Sequence, residues 1–474
     1  MSNFVFYDFE TSSSNKYWGQ IIQIGAILTN DNLEELDRFD VRCRLSPGII
    51  PEAMALIVNK SSPTMLKTSN LSHYEMIRQF VDTLKRWGKA TYVGFNSIEF
   101  DEEFLRCTLF QTLEYPYITS TNGNTRGDVL SLARAANLYY PDTLKNSINT
   151  KGNAVYKLDQ MAPLNGIEHG DAAHSAIGDV IATVGVAKLI AKKAPNVWKA
   201  SMLTMDKNQS LELIRQELFF CTNEYFYGKS RPYVQTFICQ HPQYQWPLCF
   251  DLKHDPSPYL AMSIQELTAA MKKQPKFIRT VRHNKHPVIM NPSYGDKFDE
   301  YKTIGTTKLQ TRAELIRKNK EFAEKITSIK RSEVEEKEQS KSQEDLYNEE
   351  SIYAKFTTTE DNKIMPEFHA ANWDKKLLVI SKFKDERLQY FGKKLLYMEK
   401  PEMLSKLDYN TIHKDTAKKL LSTNNEKWNT IPRTYSEIDT LRAKFDKEEQ
   451  PEKLIILDEI NAYVEELEKI YSSV

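Results

Sequence analysis

The run Phe4-Val-Phe-Tyr-Asp-Phe-Glu10 constrains this chain more than any other segment. It reads as a short buried strand, and it ends in two carboxylates two residues apart. Residues two apart on a strand point to one face, so Asp8 and Glu10 project side by side. Two like charges held together cost energy unless a cation neutralises them, and hard oxygen donors suit Mg²⁺ or Mn²⁺. A plainer reading puts the pair on a solvated strand edge. The choice between them therefore depends on what else the chain supplies.

Two further segments bear on it. In Gly94-Phe-Asn-Ser-Ile-Glu-Phe-Asp101 a strand ends at a glycine and a loop leads to a helix starting near Asp101, the place where an α/β sheet gathers functional side chains. Asp101 alone reads equally well as the cap of helix 102–109. In His174-Ser-Ala-Ile-Gly-Asp179 a histidine and an aspartate lie five apart, entering a helix. Both can face one cleft if the histidine sits in the first turn, although a lone histidine there is more often a core or cap residue.

The surrounding pattern predicts strands at residues 4–8, 21–28 and 91–94, a hairpin to 38–45, and helices over 74–87 and 173–191. This implies an α/β domain over residues 1–195. Between about 215 and 300, aromatic and β-branched residues alternate with turns, which predicts a small β-barrel. A helix from 309 then runs into a charged linker at Glu333, closing a second unit over 196–340. The rest, 341–474, reads as all-helical. The 474 residues suit two to four domains at roughly 100–200 residues each.

The balance of 41% hydrophobic and 27% charged residues is that of a globular protein, without disordered or fibrous bias. No run of about 18 apolar residues occurs, and the first residues lack the pattern of a signal peptide. The five cysteines are scattered, with no C-x-x-C pair, which argues against disulfides and structural zinc and for a reducing cytoplasm. Net charge is zero, yet residues 201–320 hold 18 basic against 11 acidic side chains. A basic middle block of this kind suits a polyanionic partner.

The ordered set of Asp-x-Glu strand, Gly-x-Asn-x-x-x-Phe-Asp loop and His-x-x-x-x-Asp helix resembles the DEDD superfamily of 3′→5′ exonucleases. It resembles the histidine branch, because Ser175 stands where the tyrosine branch has its tyrosine. The stretch from Asn165 to Leu189 looks like the bacterial exonuclease I family. The resemblance implies an RNase H-like α/β exonuclease domain, an SH3-like β-barrel and an all-helical C-terminal domain. It implies that Asp8, Glu10, Asp101 and Asp179 hold two Mg²⁺ ions, with Mn²⁺ as a substitute, and that His174 is the general base. It further implies processive hydrolysis of single-stranded DNA in repair and recombination, by a monomer with no membrane association. The partner it brings is single-stranded-DNA-binding protein, through that protein's C-terminal tail. RNA trimming, polymerase proofreading and an inactive binding relative are the alternatives.

Glu10, Lys157, Arg106, Tyr117 and Arg134 fall where the family contacts substrate. The two arginines also read as solvated helix charges, and Tyr117 as a packed turn residue. Ile118-Thr-Ser-Thr121 stands where the family tends to carry tryptophans, so grip there is weaker or supplied elsewhere. Tyr17-Trp-Gly-Gln20 has no reading from sequence alone.

Overall fold

The computed structural model describes residues 3–168, 175–340 and 346–473. The first sheet is built from β1 (Asn3–Thr11), β2 (Ile21–Thr29), β3 (Glu35–Arg42), β4 (Ala90–Gly94) and β5 (Thr125–Asp128), in the order β3-β2-β1-β4-β5. β1 runs antiparallel to β2 and parallel to β4, and β4 is parallel to β5. Around the sheet lie α1 (Ala53–Val58), α2 (Pro63–Lys67), α3 (His73–Trp87), α4 (Asp101–Gln111), α5 (Val129–Tyr139), α6 (Leu158–Leu164), α7 (Ala176–Lys193) and α8 (Pro195–Thr204).

Every residue of β2 is buried, as expected of a strand covered on both faces. β1 divides its side chains by parity. Val5, Tyr7 and Phe9 enter the core made with α3 and α4, while Phe4 and Phe6 enter the core made with α5 and α7. Asp8 and Glu10 continue the second set, so the pleat of β1 aims them at the side covered by α7. α3 starts as its sequence dictates: Ser72 and Glu75 form a reciprocal capping box, and the helix buries Met76, Ile77, Phe80 and Leu84.

Gly25 lies opposite Asp8 in the β1–β2 register. A Cβ placed there would stand 2.5 Å from the backbone of both Ala176 and Ile177, the first turn of α7. The missing side chain therefore lets α7 rest directly on β2, with Asp179, its fourth residue, toward β1.

The second sheet is an antiparallel meander of β6 (Phe220–Phe226), β7 (Lys229–Gln240), β8 (Pro247–Asp251) and β9 (Ile278–Thr280). Beyond β9 the chain returns to the free edge of β6, where Cys221 and Met290 exchange hydrogen bonds of 2.8 and 2.9 Å, so the sheet curls back on itself. Helices Thr306–Lys318 and Lys320–Ser340 follow. The charged run from Glu333, expected as a linker, is instead the end of the second helix up to Ser340. Its Glu, Lys and Gln are strong helix formers, and the Lys330–Glu333 pair at 2.7 Å supports the turn.

Among the described residues, the C-terminal part is helical throughout its regular structure, and two apolar clusters join it to the first domain. Phe110 and Leu113 of the α4 end join Phe368, Phe391 and Leu395, and Ile50, Leu56 and Leu66 join Leu441, Leu457 and Ile460. Trp18, from the segment without a sequence reading, packs against Trp428 and Tyr347 at 4.8 and 5.4 Å between ring centroids. All five cysteines are free thiols. No helix among the described residues is long and apolar enough to cross a membrane.

Replacing Gly25 by alanine should cost about 1–3 kcal/mol, the usual range for overpacking, because both clashing groups are backbone. Denaturant unfolding measures this, and a wild-type midpoint would mean that α7 does not rest on β2 as described.

Candidate active site

At the end of β1, ligand oxygens of Asp8, Glu10 and Asp179 lie within 4.8 Å of one another, a grouping able to hold a metal ion. Asp101 is outside that 4.8 Å group. It is the first residue of α4, and its Oδ1 accepts the Phe9 N–H at 3.1 Å, so it joins its helix to the strand rather than capping the helix. The Asp101 charge nonetheless reaches Asp8 and Glu10. His174 lies outside the described residues.

Electrostatics tests whether these residues fit a cation. Burial pushes the Asp8 carboxyl well above its ordinary range, and the charges of Asp101, Asp179 and Glu10 push it further; every one of these influences raises it. Glu10 is pushed up to about 7 by burial and then by Asp179, with Arg42 opposing. Asp101 is pushed up to about 8, again chiefly by burial. Carboxylates crowded out of water and repelling one another are hard oxygen donors that a divalent cation would stabilise. The residues fit the metal that the pattern implies.

A buried network fixes the two chain segments that carry Asp8 and Asp101. Glu102 is fully buried and accepts from Tyr7 Oη (3.2 Å), Thr119 Oγ1 (2.6 Å) and Arg126 Nη1 (3.1 Å), with Arg106 Nη2 at 2.9 Å. It therefore ties the neighbour of Asp8 to the neighbour of Asp101. The loop between β4 and α4 hangs on Asp128, whose carboxylate accepts the N–H groups of Asn96 (3.1 Å) and Ile98 (3.3 Å). Asp128 in turn donates its own N–H to His286 Nδ1 at 2.9 Å. An accepting Nδ1 puts the ring proton on Nε2, which donates to the Ser201 carbonyl at 3.2 Å. Neither Glu102, Asp128 nor His286 stood out in the sequence. Glu102 and Asp128 adjoin recognised segments, but only the folded contacts reveal what they hold.

A cleft of about 440 Å³ opens beside Asp179, with Lys157, Arg134, Asn96, Phe95 and Tyr156 among its walls. Two of the expected substrate residues, Lys157 and Arg134, therefore share a cleft with Asp179. Arg106 and Tyr117 are not in that cleft. Arg106 is spent on Glu102 and Glu103 and lies over the Tyr117 ring at 5.2 Å, while Tyr117 packs against Phe356.

Arg134 also lines a second groove, of about 550 Å³, with Arg279, Arg282 and Lys285. Arg134 stacks 3.8 Å over Tyr225, and Arg279 stacks 3.8 Å over Tyr233. The rest of the basic block does not form one face. Arg312 is bound to the carbonyls of Leu252 and Lys253, Arg317 to those of Ile214, Arg215 and Glu217, and Lys276 to that of Met271. Sequence counts charges without showing which ones cap backbone.

Residues 5–187 match the family model described as Exonuclease, and residues 346–467 match the Exonuclease I C-terminal domain. Exodeoxyribonuclease I of Buchnera aphidicola subsp. Acyrthosiphon pisum is 30% identical over 214 residues, which is 45% of this chain and 51% of that one. In that alignment the chain spans about half the length of the relative it matches. The solved structure of Escherichia coli exonuclease I with a dA16 oligonucleotide has a TM-score of 0.81 at 18% identity, covering 98% of this chain and all of that one. A structure of SSB/exonuclease I with the inhibitor CFAM has a TM-score of 0.80 at 19% identity over the same shares. At these identities the likeness is one of fold.

The neutral, buried His286 ring gives a pH prediction. Burial lowers it from 6.5 to about 4, so the unfolded chain takes up the proton first as pH falls, and stability drops between pH 6.5 and 4. The loss reaches about 3 kcal/mol, at 1.36 kcal/mol per unit. In His286→Gln that component should vanish, while the opposite effect of Asp128 stays in both proteins and cancels. Urea unfolding at pH 7 and pH 4.5 measures the difference; equal slopes in the two proteins would refute the neutral assignment.

Proposed function

From a chain that joins an exonuclease domain to an exonuclease I C-terminal domain, we infer a metal-dependent 3′→5′ exonuclease that removes 5′-mononucleotides from single-stranded DNA. One observation carries the reading: carboxylates from β1 and α7 converge within 4.8 Å, and Asp179 among them borders a cleft containing Lys157 and Arg134. Three anionic ligands beside two cations suit a phosphodiester held against a metal site. The working division is an exonuclease domain over 1–195, an SH3-like barrel unit over 196–340 and a helical domain over 341–474.

In this reading Asp8, Glu10, Asp101 and Asp179 hold the cations, Mg²⁺ in the first instance. Bound there, a pair of divalent ions supplies Lewis acidity toward the attacking water and the departing oxygen. The protein's own part is placement and proton transfer. Lys157 holds the terminal nucleotide, Arg134 contacts the single strand, Glu10 touches substrate as well as metal, and His174 accepts the proton of the attacking water. The Glu102 and Asp128 networks hold the backbone of Asp8 and Asp101 still while this happens. Upstream, the strand follows the groove of Arg134 and Arg279, whose guanidinium groups stack on Tyr225 and Tyr233; Arg279 gives one N–H to Glu224 and has its other donors for phosphate oxygens. Single-stranded-DNA-binding protein, through its acidic tail, is the proposed protein partner, and five free thiols suit a reducing cytoplasm.

Digestion of matched 3′-labelled single-stranded DNA, duplex DNA and RNA, with Mg²⁺ or a chelator, tests the reading. Mononucleotide release from the single strand, dependent on Mg²⁺, is expected. Preference for RNA would move the protein to another branch of the superfamily. Asp8→Ala and Asp179→Ala should end cleavage, and their melting temperatures in chelator should be unchanged or higher because a repelling charge is gone. Metal-dependent turnover in either variant would put the metal elsewhere.

Salt dependence separates groove from general charge. Each neutralised phosphate adds about 0.7 to the slope of log affinity against log salt for a single strand. Arg134→Gln with Arg279→Gln should therefore flatten the slope by about 1.4. Lys272→Gln with Lys273→Gln, at the exposed end of helix Ile264–Lys272, should change it less. Equal effects would mean that binding follows the overall field.

A further inference from the structure

Beyond the groove stands a surface that the proposed chemistry does not use. The turn between β7 and β8 reads His241-Pro-Gln-Tyr-Gln-Trp246. The Tyr244 and Trp246 rings stack at 4.7 Å with 22° between planes, and the His241 ring lies 4.8 Å from Tyr244. The Arg282 guanidinium lies 5.1 Å from the Trp246 ring centre. Four flat groups thus form one ladder at the tip of a hairpin, and 46% of Tyr244 is exposed.

The ladder is rigid without any help from Tyr244. The turn closes through His241 N–H to the Trp246 carbonyl (2.8 Å) and Gln245 N–H to the His241 carbonyl (2.9 Å). His241 Nδ1 accepts the N–H groups of Gln243 and Tyr244, and Trp246 Nε1 donates to Asn284 Oδ1 at 3.1 Å. The turn is therefore already fixed by other bonds, and the large exposed ring of Tyr244 gains little from burial. A preformed aromatic face loses little conformational entropy when a ligand lands on it.

The surroundings indicate which ligand. Arg282 also lines the basic groove, so the ladder continues the surface that Arg134 and Arg279 begin. Lys330 and Lys337 lie close enough to His241 to act on its charge, with Glu333 opposing. Stacked rings among cations suit unpaired bases on a phosphate backbone, since every base has a π-face; the paired bases of a duplex are already stacked.

We propose that the β7–β8 hairpin is a base-stacking platform for single-stranded DNA leaving the groove, with Tyr244, between His241 and Trp246, as its most exposed ring. This rests on the single-strand reading above, and it places an aromatic contact on the second sheet, away from the carboxylates.

The test measures binding of the full chain to oligothymidylates in chelator, by fluorescence anisotropy, with one abasic nucleotide stepped along the strand. For the wild type, binding should fall about five- to hundredfold at one or two positions well away from the 3′ end. Tyr244→Ala should lose a similar factor on the intact strand and no longer respond to an abasic site there. Tyr244→Phe, which keeps the ring, should behave as wild type. Circular dichroism checks that the variants are folded, and the wild-type scan decides even if one is not. A flat wild-type scan, or Tyr244→Ala binding as wild type, overturns the platform and leaves the ladder as hairpin structure or a protein contact. Wild type that binds no single strand at all would instead sink the single-strand reading itself.

Discussion

Like-charge crowding at the end of β1 is the constraint around which the rest of the molecule is arranged. Without a cation, a strand and a helix holding Asp8, Glu10 and Asp179 within 4.8 Å carry an unfavourable interaction that other contacts must outweigh. Gly25 lets α7 press onto β2, so that Asp179 is held against the repulsion by backbone packing. Glu102 supplies a second restraint. Its carboxylate takes two arginines, a threonine and Tyr7, and breaking buried charge pairs of this kind typically costs 3–5 kcal/mol. The same fold that brings the repelling charges together thus prevents them from separating.

That restraint is shared among the domains. His286 comes from the segment after β9, yet it ends on Asp128, which holds the loop before Asp101. Arg126 likewise bonds Glu102 on one side and the Asn284 carbonyl on the other. From the C-terminal helices, Tyr353 donates to Glu103 Oε2 at 2.7 Å, and Lys16 pairs with the same oxygen at 2.9 Å. α4 is therefore gripped from both neighbours. A carboxylate at its first residue gains positional order from side chains hundreds of residues away, which is the order that catalysis by placement requires.

The fold was legible in the sequence where periodicity is strong. The buried strand at residues 4–8, the mostly apolar run 21–28 and the helical spacing of 74–87 all carry local signals that tertiary contacts reinforce. Of the site, the side-by-side placing of Asp8 and Glu10 followed from strand spacing, whereas the joining of Asp179 to them, and the choice of Lys157 and Arg134, came only from family resemblance. The misreadings have a common cause. For Arg106 it is the alternative of a solvated helix charge that fails, because two acids one turn away bury it. Glu333–Ser340 reads as linker because it is polar, yet its residues favour helix and follow one already formed. Trp18 was opaque because its partners, Trp428 and Tyr347, lie more than 300 residues on.

The basic middle block shows most clearly why composition underdetermines function. A surplus of seven positive charges over residues 201–320 suggests a broad cationic surface. In the fold, Arg312 and Arg317 cap carbonyls, and Arg279 offsets part of its charge against Glu224 at 3.2 Å. A cation satisfied by carbonyls still contributes to the long-range field that draws a polyanion inward, but its donors are occupied and cannot grip a phosphate. In the proposed reading, steering and grip therefore fall to different residues: the whole block would provide the first, and Arg134 together with the donors of Arg279 that Glu224 leaves free would provide the second. Because guanidinium groups held on aromatic faces are ordered before any strand arrives, contact costs little further entropy. In the proposed single-strand reading, a polynucleotide would therefore be held by few contacts, ordered before it arrives.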